Sequence, residues 1–203
     1  MKWGADRSGT PAVIRYAFLS AALSRPGAVN CGEMRPIAAT LSASGIPFTT
    51  VVTEFRAAFD SWEAAAGVRF EAAESAETAD LVIGLQARPR GIAYADIAPR
   101  KTYVLFGATS PAAICLNPIA DWETAFDGDD LTYDIRYVAV HETGHILGLD
   151  HAGGREGRIM SFGYSERFRV PQPGDIAGAR FLYGPPGEQA APRRAGFLPA
   201  SLD

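Results

Sequence analysis

The chain of 203 residues lacks the features of several common protein classes. Its two cysteines are too few for a disulfide-rich scaffold. No apolar run reaches the ~18 residues that a membrane span requires. Lysine and arginine never cluster beyond a pair, and the net charge is -4, which argues against nucleic acid as a partner. The first residues do not begin a signal peptide, because a polar, glycine-containing stretch follows them.

What is present is the composition of an ordinary globular protein. Hydrophobic residues make up 47% of the chain and charged residues 21%, which excludes a disordered or fibrous class. A chain of this length fits one domain, or one domain divided by a cleft.

Local patterns predict an α+β fold. Alternation predicts a first strand over residues 13–18. Apolar residues at helical spacing predict a helix over 50–66, and further helices are expected over 134–148, with Asp134 as its cap, and over 175–183. Other strands are expected at 68–71, 80–83, 102–106 and 113–116. This order predicts one sheet with helices packed against it, and a long connection at 21–49 holding a short helix near 37–41.

The strongest chemical pattern lies in the second predicted helix. His141 and His145 are four residues apart, so both imidazoles project from one helical face and can reach one ion. Glu142 directly follows His141, so its side chain projects next to that face and its carboxylate lies beside the ion. Gly148 lets the chain turn sharply, and His151 can return as a third ligand.

Three neutral imidazoles leave the fourth position of a tetrahedral zinc ion for water, as in a catalytic site. Glu142 is then the expected base, taking a proton from that water and returning it to the departing amine. The alternative is that the histidines are ordinary core or surface residues. It is disfavoured because the chain has only three histidines, and all three fall within eleven residues at ligand spacing.

Residues 141–151 resemble the long zinc motif of the metzincins, most closely that of matrixins and serralysins. The resemblance implies a zinc-dependent endopeptidase with one catalytic zinc ion, acting on extended protein or peptide substrates, and secreted or extracellular. It also implies a twisted mixed sheet with an active-site helix and a backing helix, followed by a small C-terminal subdomain. That subdomain carries a methionine-bearing turn and the final helix.

Several residues beyond the zinc motif fit the same resemblance. Met160 is the counterpart of the methionine in that turn. Tyr164 matches the matrixin tyrosine that lines the main specificity pocket, although a merely packed aromatic is the alternative. Phe162 occupies the position of a serralysin tyrosine that approaches zinc, and cannot ligate. Gly174 replaces the first of two matrixin aspartates, while Asp175 keeps the second and is expected to brace the turn.

The resemblance also predicts how the chain is divided. Residues 1–186 are expected to form the catalytic domain, with an upper part to about residue 151 and a lower part over about 152–186. Substrate is expected to lie between the two parts, paired with an edge strand that follows the loop at 91–95. Residues 21–49 are an insertion relative to matrixins, and residues 187–203 are expected to be an extended tail.

The cysteines and one acidic turn leave alternatives open. Cys31 and Cys115 form either a disulfide or two buried thiols, and a third, least favoured interpretation has Cys31 blocking the zinc. The acidic turn at 127–130 is either a calcium site or a solvated turn. The solvated turn is favoured because no complete set of ligands can be named.

A rival function from another class also fits the zinc motif. The chain could be a zinc-stabilised binding module, derived from a peptidase, that holds a protein or polymer without cutting it. Retention of Glu142 disfavours this interpretation, because a binder gains nothing from a base beside an open metal site. A structural zinc protein is a more distant alternative, and a monomer is expected in each case.

Overall fold

The computed structural model describes residues 2–38, 40–41, 45–97, 111–128, 131–153 and 157–187. Three helices lie within these residues, α1 Phe48–Ala65, α2 Ile135–Ile146 and α3 Pro173–Tyr183. The strands are β1 Ala12–Phe18, β2 Leu23–Ser24, β3 Glu33–Arg35, β4 Thr40–Leu41, β5 Ile46–Pro47, β6 Val68–Ala72, β7 Leu81–Gln86, β8 Ala93–Asp96, β9 Ala112–Leu116, β10 Trp122–Glu123 and β11 Tyr133–Asp134.

A twisted mixed sheet forms the centre of the fold. Its main body runs in the order β6, β1, β7, β9, β8, with the first four strands parallel and β8 antiparallel to β9. Within the described part of the chain β8 pairs only with β9 and forms one edge. The predicted α+β class is confirmed. The short pairs β4–β5 and β10–β11 lie outside the main sheet, so the expectation of a single sheet was incomplete.

Both faces of the sheet are covered, because its central strands alternate between two apolar clusters. In β7, Leu81 and Ile83 face the large core with the helices, while Val82 faces a smaller core on the opposite side. In β9, Ile114 faces the large core and Cys115 faces the smaller core. The period of two residues along a strand produces this division, and every residue of β7 and β9 is buried.

Helix α1 supports the sheet and the second helix at once. The ring of Phe59 stacks on Phe70 of β6 at a centroid distance of 4.2 Å. On another side of α1 the indole of Trp62 is fully buried and donates a hydrogen bond of 2.9 Å to the carbonyl oxygen of Val140 in α2. The backing and active-site helices are therefore in direct contact. Neither they nor α3 is long and apolar enough to cross a membrane.

The smaller core is closed by the segment that precedes β3. Cys31 forms a disulfide with Cys115 of β9, which resolves the alternatives for the cysteines and leaves no thiol on Cys31 to block a metal. Met34 of β3 pairs with Gln86 at the end of β7. The part of the insertion up to β3 thus adds strands to the sheet, and Cys31 and Met34 pack on the face away from the helices.

The predicted short helix near residues 37–41 was wrong. Thr40 and Leu41 form β4, which pairs antiparallel with β5. The apolar spacing of Ile37 and Leu41 imitates one helical turn, but so short a segment cannot offset the cost of helix nucleation. Both side chains are buried in the large core instead. The strand predicted at 102–106, the residues 129–130 and the tail from residue 188 lie outside the described residues.

The turn that carries Met160 packs beneath α2. A Cβ atom added to Gly144 would lie 2.2 Å from the sulfur of Met160, so the thioether occupies the space left by the missing side chain. The carboxylate of Asp175, at the start of α3, accepts hydrogen bonds from the backbone N–H groups of Ile159 and Met160 at 2.9 and 3.4 Å. The expected bracing of the turn by Asp175 is confirmed.

The carboxyl end of α2 is closed by two distant parts of the chain. The indole N–H of Trp3 donates to the carbonyl oxygen of Ile146 at 2.7 Å. The hydroxyl of Tyr183 donates to the carbonyl oxygen of Leu147 at 2.8 Å. The Tyr183 hydroxyl also accepts from the backbone N–H of Trp3 at 3.1 Å. These bonds satisfy carbonyl groups that the end of a helix leaves without intrahelical partners.

Loss of the disulfide should destabilise the fold substantially. The bond closes a loop of 84 residues, and in the chain-entropy model such a loop contributes about 4 kcal/mol. The double variant Cys31→Ala/Cys115→Ala should therefore unfold at lower urea, with a free energy of unfolding reduced by roughly 2–5 kcal/mol. Tryptophan fluorescence during urea denaturation measures this. A loss below about 1 kcal/mol would contradict the proposed contribution of the bond.

A methyl group at position 144 should also destabilise the fold, although alanine is the better helix former. The intrinsic gain of about 1 kcal/mol is opposed by the close approach of Met160, whose buried side chain must shift. We expect Gly144→Ala to lower the free energy of unfolding by about 1–2 kcal/mol net. Gly187→Ala is the control, since no atom lies within 4 Å of its added Cβ. Equal stability of the two variants would refute the packing argument.

Candidate metal centre

Helix α2 and the turn after it bring the three histidines together. The side chain of Asp134 accepts a hydrogen bond from the backbone N–H of Tyr137 and begins the helix as predicted. His141 and His145 lie one turn apart on it. Gly148 follows with a φ of 92°, a conformation that side chains disfavour, and the chain turns back so that His151 faces the other two.

The Nε2 atoms of the three imidazoles converge on one point. The Nε2 atom of His151 lies 3.2 Å from that of His141 and 3.2 Å from that of His145. Ligands at ~2.0–2.1 Å from a tetrahedral zinc ion lie ~3.4 Å from one another. The spacing therefore fits zinc, and the donor set leaves a fourth position for a small ligand.

Backbone carbonyl groups fix the direction of two of these rings. The Nδ1 atom of His141 lies 2.7 Å from the carbonyl oxygen of Ile159, and that of His145 lies 2.9 Å from the carbonyl oxygen of Leu149. Because a carbonyl oxygen only accepts, each Nδ1 carries the proton and each Nε2 keeps its lone pair for a metal.

Burial keeps these imidazoles neutral. Desolvation, with a smaller effect from His145, lowers the pKa of His141 to about 4. Desolvation also lowers the pKa of His145. At neutral pH both rings are therefore in the uncharged form that binds metal.

Glu142 lies beside this point on the buried side of the helix. Its side chain is 7% exposed, and burial raises the pKa of its carboxyl to about 7 in spite of a hydrogen bond from the backbone of Ala95. A carboxyl with a pKa near neutrality can both accept and release a proton under ordinary conditions. The contact with Ala95 also ties Glu142 to the edge strand.

The edge strand presents its outer backbone groups to the cleft. The N–H of Asn117 donates to the carbonyl oxygen of Ile92, at a pair next to the β8–β9 register. Hydrogen-bonded pairs alternate in an antiparallel ladder. The backbone N–H and C=O groups of Tyr94 and Asp96 therefore face β9, while those of Ala93 and Ala95 face outward. The resemblance led us to expect a loop at 91–95 before the edge strand, but Ala93 and Ala95 already belong to it.

A cleft of about 730 Å³ joins the histidines, Glu142 and the edge strand. Its walls come from several separate segments, namely Asn30, 92–95, Ile97, 137–138, 148–151 and 162–164. The hydroxyl of Tyr164 accepts from the backbone N–H of Asp134 at 2.7 Å and donates to Glu166 at 2.6 Å. Desolvation, followed by the bond to Glu166, raises the pKa of Tyr164, so it lines the cleft as a neutral phenol.

Phe162 lies at the mouth of the cleft, near the position that the resemblance gave it beside the histidines. Its side chain is 81% exposed, and its ring lies edge-on to that of His151 at a centroid distance of 5.1 Å. Asn30 is an unexpected lining residue. It has no local sequence signal, because its position depends on contacts between segments distant in the chain.

A second group of carboxylates lies near the predicted acidic turn. Oxygen atoms of Glu123, Asp127 and Glu166 all lie within 4.8 Å of one another. Glu166 already accepts from Tyr164 and from the backbone N–H of Gly128, and Glu123 accepts from the hydroxyl of Thr132. The solvated turn, favoured over a calcium site, stays a prediction, and residues 129–130 of that turn lie outside the described residues.

Comparison with known proteins agrees with this arrangement. The sequence model of the family described as Matrixin matches residues 38–184. The chain is 31% identical over 140 residues to metalloendoproteinase 1-MMP of Arabidopsis thaliana, covering 66% of this chain and 38% of that protein. It is 33% identical over 111 residues to matrilysin of Mus musculus, covering 53% of this chain and 41% of that protein.

A shorter stretch of 65 residues is 40% identical to stromelysin-3 of Homo sapiens, covering 32% of this chain and 13% of that protein. The chain thus spans less than half the length of each of these relatives. The family match includes the zinc motif, the turn with Met160 and the final helix. The chain therefore belongs to the matrixin family.

Proposed function

We propose that the chain is a zinc-dependent endopeptidase that hydrolyses peptide bonds of extended protein substrates. The observation that carries the proposal is the convergence of three imidazoles beside a buried carboxylate and the edge strand β8. His141, His145 and His151 would hold the metal. A zinc ion held by such a set lowers the pKa of a water molecule to about 7 and polarises a carbonyl group.

Glu142 supplies the proton transfers. Its carboxylate accepts the proton that the attacking water releases and then donates it to the nitrogen of the departing amine. Its burial supports this role, since a raised pKa makes the carboxylate a stronger base than an exposed one and lets it hold a proton near neutral pH. The hydrogen bond from Ala95 holds the carboxylate between the metal-binding point and the edge strand.

The edge strand orients the substrate. The outward-facing backbone groups of Ala93 and the carbonyl oxygen of Ala95 would pair with an extended peptide in the manner of an added strand, while the N–H of Ala95 is bound to Glu142. Tyr164 supports a specificity pocket on the opposite wall, where its two hydrogen bonds fix the ring. Met160 supports the metal-binding helix from below and takes no part in the chemistry.

The proposal also covers the organisation and location of the protein. We infer one catalytic domain over residues 1–186, divided at about residue 151 into an upper and a lower part with the cleft between them. A disulfide favours an oxidising compartment, in agreement with a secreted or extracellular protein. A monomer stays a prediction.

Removal of Glu142 should abolish hydrolysis while leaving metal binding intact. Glu142→Ala removes the proton acceptor but none of the three imidazoles, so kcat on denatured casein should fall by about 10²- to 10⁴-fold. Bound zinc, measured by mass spectrometry of metals, should stay at one ion per chain. Glu77→Ala, at an exposed position, is the matched control. Wild-type activity in Glu142→Ala would refute the proton-transfer role.

Metal removal should abolish activity reversibly. Dialysis against a chelator should eliminate casein cleavage, and stoichiometric zinc should restore it, because backbone carbonyl groups hold the rings of His141 and His145 with Nε2 available for the metal. His151→Ala should weaken zinc binding without disturbing α2, since His151 lies beyond the helix. A zinc-loaded wild-type protein that cleaves neither casein nor a peptide library would favour the non-catalytic binding module.

A further inference from the structure

Residues 25–31, which we name the rim segment, connect the outer face of the sheet with the cleft. We propose that the rim segment forms one wall of the substrate cleft and selects the substrate side chain on one side of the scissile bond. This inference rests on the proposed function, because it concerns the peptide that the site would cleave.

The rim segment is anchored covalently to the sheet at one end. Cys31 is bonded to Cys115, and the two Cα atoms lie 5.8 Å apart. Cys115 is the direct ladder partner of Tyr94 in β8. The anchor therefore lies one strand away from the backbone groups that face the substrate.

A buried ion pair anchors the other end. The side chain of Arg25 is 1% exposed and its Nη1 atom lies 3.6 Å from Oδ2 of Asp96, which is 7% exposed. Arg25 also donates to the carbonyl oxygens of Cys31 at 3.2 Å and of Pro111 at 2.8 Å. The two ends of the segment are thus held together, and its only charged side chain is neutralised by a partner on the edge strand.

Asp96 links the rim segment to the substrate path. Its Oδ2 atom accepts a hydrogen bond of 3.1 Å from the backbone N–H of Asn30. Asp96 is the last residue of β8 and directly follows Ala95, whose backbone contacts Glu142. Strand residues advance by about 3.3 Å, so a peptide paired with β8 passes the rim segment within one or two residues of the scissile bond.

The side chains offered there are uncharged. Asn30 lines the cleft, and its neighbour Val29 is 81% exposed. An amide and an isopropyl group carry no charge of their own, so they favour an aliphatic or amide-bearing substrate side chain over a charged one. Because Asn30 is bound to Asp96 at one end of β8, this preference should affect one side of the scissile bond.

Charge substitutions at Asn30 test the inference by cleavage-site profiling in a peptide library. Asn30→Asp should enrich basic residues and Asn30→Lys acidic residues at one substrate position, each by about 2- to 5-fold, the range of an exposed ion pair. Val29→Asp and Val29→Lys repeat the test at a side chain so exposed that folding does not depend on it. Ser8→Asp and Ser8→Lys, at an exposed position outside the cleft, are the controls.

The outcomes separate this inference from the proposed function. Opposite shifts for Asp and Lys at the same position, absent from the Ser8 variants, support the rim segment as a specificity element. Unchanged profiles in active Asn30 and Val29 variants overturn it and leave the peptidase intact. Equal changes on both sides of the scissile bond also overturn it. A wild-type protein that cleaves nothing refutes the peptidase, and the inference with it.

Discussion

Two backbone carbonyl oxygens determine where the Nε2 atoms of His141 and His145 point. Those of Ile159 and Leu149 accept from the Nδ1 atoms of His141 and His145, and both belong to turns outside α2. The helix supplies the spacing of the two histidines, but the turns supply the direction of each ring. A shift of either turn would rotate an imidazole even if the helix stayed intact.

The position of those turns follows from packing further away. The turn of Ile159 is held by the carboxylate of Asp175 and by the sulfur of Met160 against Gly144. Gly144 is part of α2, and the indole of Trp62 in α1 binds α2 through the carbonyl oxygen of Val140. The convergence of the three histidines is therefore the end of a continuous series of buried contacts that begins at the sheet. This explains why residues with no role in chemistry restrict its geometry.

Sequence predicted well whatever depends on near neighbours. The spacing of His141, His145 and His151 and the cap at Asp134 are properties of one helix and one turn. The first strand followed from alternation for the same reason, and the strands expected at 68–71, 80–83 and 113–116 correspond to β6, β7 and β9. Sequence failed where distant segments meet. Ile37 and Leu41 have helical spacing but lie in a region where pairing with β5 and burial determine the structure. The partner of Cys31 and the approach of Asn30 to the cleft depend on the path of the insertion.

The carboxyl end of α2 has a consequence for biosynthesis. Its last carbonyl groups are bound by Trp3, near the start of the chain, and by Tyr183, at the end of the final helix. A nascent chain that has just exposed all three histidines still lacks Tyr183 and the carboxylate of Asp175. The ribosome must therefore release nearly the whole described chain before the histidines acquire their final surroundings. The arrangement of the three histidines is completed after translation of α3, and not when α2 itself forms.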